Sequence, residues 1–371
     1  MDCGSRKCIG CPCLNWKSID PRYNVLLTPM DRISESELKR ALAKSKVPFI
    51  SLGCSVLLDF PLQRMSELKS ALWTGIPSLL HSRIKGIFLS DANRLQFTYR
   101  DLLQAEPLPV FFEQAEVEWA GRILSMGSLY SVFHPILDAR TMQIVAYEAL
   151  VRAHHPYTGE VISAGELLHA CGRLNLMDQL DGMARQCAIR SASQVDQSDA
   201  LIFINFLPNA IGDPDSALKC TFEDAKEIGL KPERLVYEAV EAESAMSLEM
   251  LRDIARYIHA MGSKFALDNL GRGRTAVELI EKLNPDYAKM DANLIAVAVT
   301  NANARLEMDR ICMSAQGVGA TLIGEGIETI DQMRVALRAG ISLMQGFLFS
   351  IPCNPEDAAK PIRGYLQRQI A

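Results

Sequence analysis

The sequence predicts an α/β protein: a modified (β/α)8 TIM-type barrel with an antiparallel first strand, preceded by a small mixed α/β domain. Three observations predict it. Apolar runs of strand length recur at 129–137, 143–151, 200–207, 234–241, 263–270, 286–292, 320–326 and 342–350. Helix-periodic segments separate most of them, and Gly262, Gly317 and Gly340 fall where helix C-caps belong. The first two runs are joined only by Asp138–Gln143, too short for a helix, so they pair as an antiparallel hairpin. A doubly wound open sheet is the alternative, but no G-x-G-x-x-G follows the first run.

The elements divide the chain into a Cys-rich segment (1–13), an accessory or sensory domain (14–115), a helical linker (116–127) and the barrel (128–371). In the accessory domain "VPFISL", "SVLLDF" and "KGIFLS" read as strands. "SESELKRALAKS" and "LQRMSELKSALW" read as helices, the first opened by a capping box in which Ser34 is followed by Glu37. No catalytic constellation stands out there. "EQAEVEWAGRILSM" reads as the helix leading to Gly127 and the barrel.

A length of 371 residues with 49% apolar and 22% charged content suits a large barrel plus a smaller domain. The net charge of −5 gives no bulk attraction to polymeric nucleic acid or an anionic membrane. The start of the chain has no signal-peptide pattern, and no apolar run reaches the ~18 residues of a membrane span. "VPFISLGCSVLLDFPL" comes nearest but is cut by Gly53 and Asp59. A cytoplasmic protein is expected.

Of ten cysteines, Cys54, Cys171, Cys187, Cys220, Cys312 and Cys353 are scattered and read as small buried hydrophobes. Cys3, Cys8, Cys11 and Cys13 are crowded into "MDCGSRKCIGCPC". Four thiolates are candidates for zinc or an iron–sulfur cluster. A redox-sensitive cluster and an unstructured tail are the alternatives.

The strand ends carry the chemistry. "QIVAYEAL" delivers Glu148 and, four residues on, Arg152; "LIFINF" delivers Asn205; "LVYEAVEAE" delivers Glu238 with Glu241 close behind. "KFALDN" ends in Asp268 and Asn269, "DYAKMD" gives Lys289 and Asp291, "LIGEGIE" gives Glu325 and Glu328, and "LMQGFLF" gives Gln345. Taken singly, a strand-end acid is usually a cap or a solvated loop residue, Lys289 an ion-pair lysine, and Asn205 a partner for backbone. Glu328, before Thr329, suits a cap as well as a site, and His154 and His155 read as solvated loop residues. Recurrence on successive strands points instead to the face where barrels build active sites. Converging acids repel one another unless a cation joins them. An all-oxygen donor set suits Mg²⁺ or Mn²⁺, and a pair of such ions suits phosphodiester hydrolysis.

In this order, "YEALVR", "INFLP", "YEAVE", "ALDNLGRG", "PDYAKMD", "GEGIET" and "QGFLFSIP" make residues from roughly 128 to 365 resemble the EAL domain, a family of cyclic di-GMP-specific phosphodiesterases. The resemblance does not cover residues 1–115. It implies hydrolysis of cyclic di-GMP to linear pGpG by a homodimeric barrel with two Mg²⁺ or Mn²⁺ ions. Glu148, Asn205, Glu238 and Asp268 would hold the first ion, and Asp268 would bridge to a second beside Asn269. Lys289 and Glu325 would position or deprotonate the attacking water. Arg152 would meet a ligand phosphate, Gln345 and Asp291 would line the site, and Glu241 would steady the loop "DNLGRGRT". Three residues depart from the family pattern: Asn269 for an Asp, His134 for a Gln, and Ala153 for a Trp. The Asn269 departure weakens the second ion site and opens the alternative of a cyclic di-GMP receptor or protein-interaction module with little turnover.

Overall fold

The computed structural model describes residues 22–61, 64–89, 102–195, 199–240, 247–271 and 274–358. They fall into two units. One takes in the chain up to Ser128 together with His154–Met177, and the other takes in Leu129–Ala153 and the chain from Asp178.

In the first unit, β1 (Arg22–Pro29) is the middle strand of an antiparallel sheet, between β3 (Ser55–Pro61) and β4 (Ile84–Leu89). β2 (Ile50–Leu52) extends the sheet beyond β3, and β5 (Glu106–Pro107) extends it beyond β4. The two-residue period of a strand sorts the side chains. Val25 and Leu27 pack with Leu38, Leu42, Leu68 and Leu72 of the two helices, while Leu26 joins Leu57 and Leu89 in a separate cluster.

The helix Leu108–Met126 belongs to this same core, burying Leu108, Phe111, Phe112 and Ile123. It begins before the connector expected at 116–127. Close packing demands a glycine on the sheet beneath it. A Cβ on Gly86 would stand 2.7 Å from the Phe111 ring. The expected cap at Ser34 is also displaced. Asp31 caps the helix Arg32–Lys44, its Oδ1 accepting from the Ser34 N–H at 2.8 Å and from the Ser34 hydroxyl at 2.9 Å. A carboxylate is a strong acceptor for those donors, and Ser34 is left buried inside the helix.

In the second unit the expected hairpin is present as β6 (Leu129–Asp138) and β7 (Gln143–His154), paired antiparallel along almost their whole length. β8 (Val161–Ile162) follows in the chain. Then come β9 (Leu201–Phe206), β10 (Leu235–Ala239), β11 (Lys264–Leu270), β12 (Tyr287–Met290), β13 (Thr321–Gly324) and β14 (Leu343–Met344). The sheet runs β6-β14-β13-β12-β11-β10-β9-β7, and the β6–β7 pairing closes it into an eight-stranded barrel. Only β6 runs against its neighbours. Helices between the strands bury one stripe each; Leu248–Ala260 buries Leu251, Ile254, Ala255 and Ile258, the helical period of a half-covered surface.

Two expectations fail locally. The helix Ala302–Val318 runs through Gly317, and Gly319 supplies the left-handed cap at φ 78°. The apolar run 342–350 is strand only at Leu343–Met344. Beyond it the backbone bonds to Ile327 instead of a ladder: Ile327 donates to Gln345 O at 3.0 Å, and Leu348 donates to Ile327 O at 2.9 Å. Gly346 permits this approach, since a Cβ there would lie 2.2 Å from Ile327 O.

A dry layer fills the barrel. Ile136, Ala146, Phe203, Val236, Ala266 and Ile323 are buried together, with Tyr287 and Leu343 packed against them. Each stands two residues from a polar residue on the same strand face or its continuation: His134, Glu148, Asn205, Glu238, Asp268, Glu325, Lys289 and Gln345. The strand period therefore lifts those polar side chains onto one floor above an apolar plug.

Candidate metal centre and active site

Strand register assembles the floor. In the ladders, Glu148 pairs with His134, Asn205 pairs with Glu238, and Lys289 pairs with Ile323, two residues before Glu325. Asp268 stands two residues past Ala266, the partner of Glu238. Lys289 sits at the centre. Its Nζ is 2.9 Å from Glu148 Oε2, 2.8 Å from Glu238 Oε1 and 3.0 Å from Glu325 Oε1. The ammonium also lies 5.9 Å from the centre of the Phe203 ring. Asn205 donates through Nδ2 to the other oxygen of Glu148 at 2.8 Å.

Charge governs this cluster. Burial holds the Glu238 carboxyl well above the usual carboxylate range, with Asp268, Glu148 and Glu325 reinforcing it and Lys289 opposing. Glu325 is pushed up to about 8 by burial, aided by Asp268 and Glu148 and opposed by Lys289. Burial acts on Glu148 in the same direction, but Lys289 and the Asn205 amide outweigh it and leave Glu148 below its usual value. Lys289 is raised well above an ordinary lysine, because the surrounding carboxylates overcome the effect of burial.

The donor set fits a hard cation. Glu238, Asp268 and Glu325 each offer an oxygen, all within 4.8 Å of one another. Both Glu238 oxygens and Lys289 Nζ are buried yet lack a directed hydrogen bond. The 2.8 Å contact between them is one of charge, with angles unsuited to a hydrogen bond. Such an acceptor, buried and unsatisfied, is what a metal ligand presents before its ion is bound. Glu325, which the sequence reading gave to the water, stands within the oxygen triad.

Asn269 has a backbone φ of 54°, in the left-handed region that Asn tolerates. It turns onto its neighbour: Asn269 N donates to Asp268 Oδ1 and Asn269 Nδ2 to Asp268 Oδ2, both at 2.8 Å. Arg152 shares a face of β7 with Glu148, four residues on, and donates to its neighbour Val151 O at 2.8 Å. Buried Gln345 donates to His134 O at 3.3 Å. Asp291 caps the helix Ala292–Ala298, accepting from Leu294 N at 3.0 Å. Exposed Glu328 precedes the Thr329 cap, where Gln332 completes a capping box. Glu241 and the cysteines Cys3, Cys8, Cys11 and Cys13 lie outside the described residues. Among the scattered cysteines, Cys171 is buried and Cys54 is exposed.

Phe203 and Asp181 escape a motif reading, and His134 enters it only as a departure from the family pattern. Phe203 backs the lysine. His134 is nearly buried, its Nε2 3.0 Å from Ser350 O, and burial lowers its pKa against the opposing pull of Glu148. Asp181, ion-paired to Arg185 in the core, accepts from Leu207 N at 2.8 Å and pins the turn just after Asn205. The visible signal for Asp181 was an acid on the apolar stripe of a helix.

Residues 118–352 match the EAL domain family. The chain is 27% identical over 233 residues to the "Probable cyclic di-GMP phosphodiesterase PdeD" of Escherichia coli, across 62% of this chain and 42% of that protein. It is 27% identical over 239 residues to an uncharacterized protein of Mycobacterium tuberculosis, covering 63% of this chain and 38% of the other. The chain thus spans well under half the length of these relatives. A solved structure of a standalone EAL protein from Vibrio cholerae in its c-di-GMP-bound form shares 28% identity at a TM-score of 0.54, covering 61% of this chain and 93% of that one.

Proposed function

The chain belongs to the EAL domain family, and on that premise we propose that it is a metal-dependent phosphodiesterase that opens cyclic di-GMP to linear pGpG. The observation that carries the reading is the oxygen triad of Glu238, Asp268 and Glu325, two of whose members, Glu238 and Glu325, also contact the buried Lys289. Mg²⁺ or Mn²⁺ would be held by Glu148, Asn205, Glu238 and Asp268, with a second, weaker position beside Asp268 and Asn269. When bound, the ions supply an activated water and neutralise phosphodiester charge.

The protein's own groups do the rest. Lys289 holds a proton firmly and keeps the carboxylates from repelling one another, so it orients water through its N–H donors. Glu325, pushed up to about 8 by its surroundings, would take the water's proton once a bound cation had displaced its own. Arg152 offers a guanidinium to a ligand phosphate, and Gln345, with Asp291 in support, borders the substrate. The apolar layer beneath the floor keeps bulk water from one side of the reacting centre. The same reading has the barrel acting as a homodimer in the cytoplasm. Among the described residues no helix is long and apolar enough to cross a membrane.

A second reading rests on Asn269. With both Asp268 oxygens already accepting from it, the second ion position is weak, and the barrel would bind cyclic di-GMP as a receptor or protein-interaction module. Incubation with cyclic di-GMP and Mn²⁺, followed by chromatography, separates the two. Linear product supports the enzyme; tight binding without product supports the receptor.

A further inference from the structure

The helix layer of the barrel holds a charged pair that takes no part in the proposed chemistry. Asp181 and Arg185 stand one turn apart on the helix Met177–Ala192, ion-paired, with side chains only 3% exposed. A pair so deeply buried is costly to desolvate, and apolar residues of similar volume often fold as well in its place. Stability alone therefore does not account for it. Its contacts lead toward the metal centre. Arg185 is anchored on the helix Pro214–Glu227, where Nε donates to the Thr221 hydroxyl at 3.3 Å and Nη2 to Ala217 O at 2.9 Å. Asp181, held by that guanidinium, accepts through Oδ1 from Leu207 N at 2.8 Å.

Leu207 directly follows β9, and two residues before it Asn205 stands level with Glu238 in the β9–β10 ladder. The same strand end is tied to β10 by Val240 N, which donates to Phe206 O at 3.0 Å. Asn205 Nδ2 is committed to Glu148 at 2.8 Å, so Oδ1 is the amide atom left for a cation. A site of this kind tolerates errors of only about 0.5 Å in its ligand atoms. We propose that Asp181, aimed by Arg185, is a positioning residue for the metal centre: its bond to Leu207 fixes the strand end and sets Asn205 against the ion. The inference rests on the reading of Asn205 as a ligand of the first ion.

Mn²⁺ binding to the full chain, followed by the electron paramagnetic resonance signal of free Mn²⁺, tests this without turnover. Asn205→Ala should weaken binding by removing a ligand. Two double variants then carry no charge at the pair and differ in one acceptor. Asp181→Leu with Arg185→Met lacks the acceptor and should bind Mn²⁺ at least ~10-fold more weakly, while melting close to the natural protein. Asp181→Asn with Arg185→Met keeps an oxygen for Leu207 N and should bind as the natural protein does. Leu207→Pro deletes the donated N–H, keeps the ion pair, and should weaken Mn²⁺ as much as the leucine variant. Natural binding by folded Asp181→Leu/Arg185→Met or Leu207→Pro protein, beside weakened binding by Asn205→Ala, would overturn the positioning role alone. Equal loss in the asparagine and leucine variants would also overturn it. Natural binding by Asn205→Ala would bring down the ligand assignment and the positioning role together.

Discussion

Lys289 Nζ stands 2.8 Å from Glu238 Oε1, and both side chains are fully buried. A lysine and a glutamate with no solvent contact hold each other only because further carboxylates surround the ammonium. Lys289 is the counter-charge to these carboxylates, and in the proposed reaction it would also orient the water.

Removing that counter-charge has a measurable effect. Lys289→Met leaves Glu148, Glu238 and Glu325 buried without their cation, and should destabilise the metal-free protein by about 3–5 kcal/mol. Mn²⁺ should restore part of the loss by supplying positive charge to the same oxygens. Thermal unfolding with and without Mn²⁺ checks it. Equal melting temperatures for both proteins in chelator would contradict the account.

Glu148→Ala should leave the barrel folded, since the residue lies at the floor and not in the dry layer, and should lower turnover at least ~100-fold. Ca²⁺ should inhibit the natural protein, because it prefers longer bonds and more ligands than Mg²⁺. Wild-type turnover by the variant, or full activity in Ca²⁺ alone, would count against the ligand assignment.

Metal affinity should rise with pH up to about 8, where Glu325 loses its proton. The sign follows from charge: a cation bound among these carboxylates lowers the Glu325 pKa, so below about 8 each ion bound displaces a proton. For the metal-free protein the raised Glu325 value has a second consequence. Its contribution to stability is fully present below the ordinary 4.5 and is lost as pH rises through about 8. Calorimetric Mn²⁺ titrations in buffers of different ionisation enthalpy should show proton release at pH 7 and less at pH 9. No buffer dependence at pH 7 would refute it.

Asn269→Asp restores a carboxylate beside Asp268. It should lower the metal concentration giving half-maximal rate and raise kcat, because Mg²⁺ relies on anionic ligands to shed its water. Metal titrations at saturating cyclic di-GMP decide this. An unchanged profile would show that position 269 is not limiting.

Much of this centre was legible in the sequence because the strands after β6 repeat one arrangement, an apolar residue for the dry layer and then a polar residue two positions later, while antiparallel β6 reverses the order with His134 before Ile136. Phe203 with Asn205 and Val236 with Glu238 can be read directly from the chain. The closure of β6 on β7 was legible for the same reason, since a short connection permits only a hairpin. What could not be read was direction in space. Nothing local says that Asn269 turns its amide onto Asp268, or that Asp291 serves a helix cap. The helical segment expected at 116–127 is the later part of the Leu108–Met126 helix; its earlier start could not be read because the contact that holds it, Phe111 over Gly86, joins residues far apart in the chain. The run at 342–350 was overextended because, past Met344, its backbone hydrogen-bonds to Ile327 and leaves the sheet.

The central claim is that the carboxylate floor around Lys289 hydrolyses cyclic di-GMP with a bound metal. The most direct test is chromatography of cyclic di-GMP incubated with the natural protein in Mn²⁺, in chelator, and with Glu238→Gln in Mn²⁺. The account predicts linear pGpG in the first reaction alone. Unchanged cyclic di-GMP in all three, with the nucleotide tightly bound by the natural protein, would contradict it.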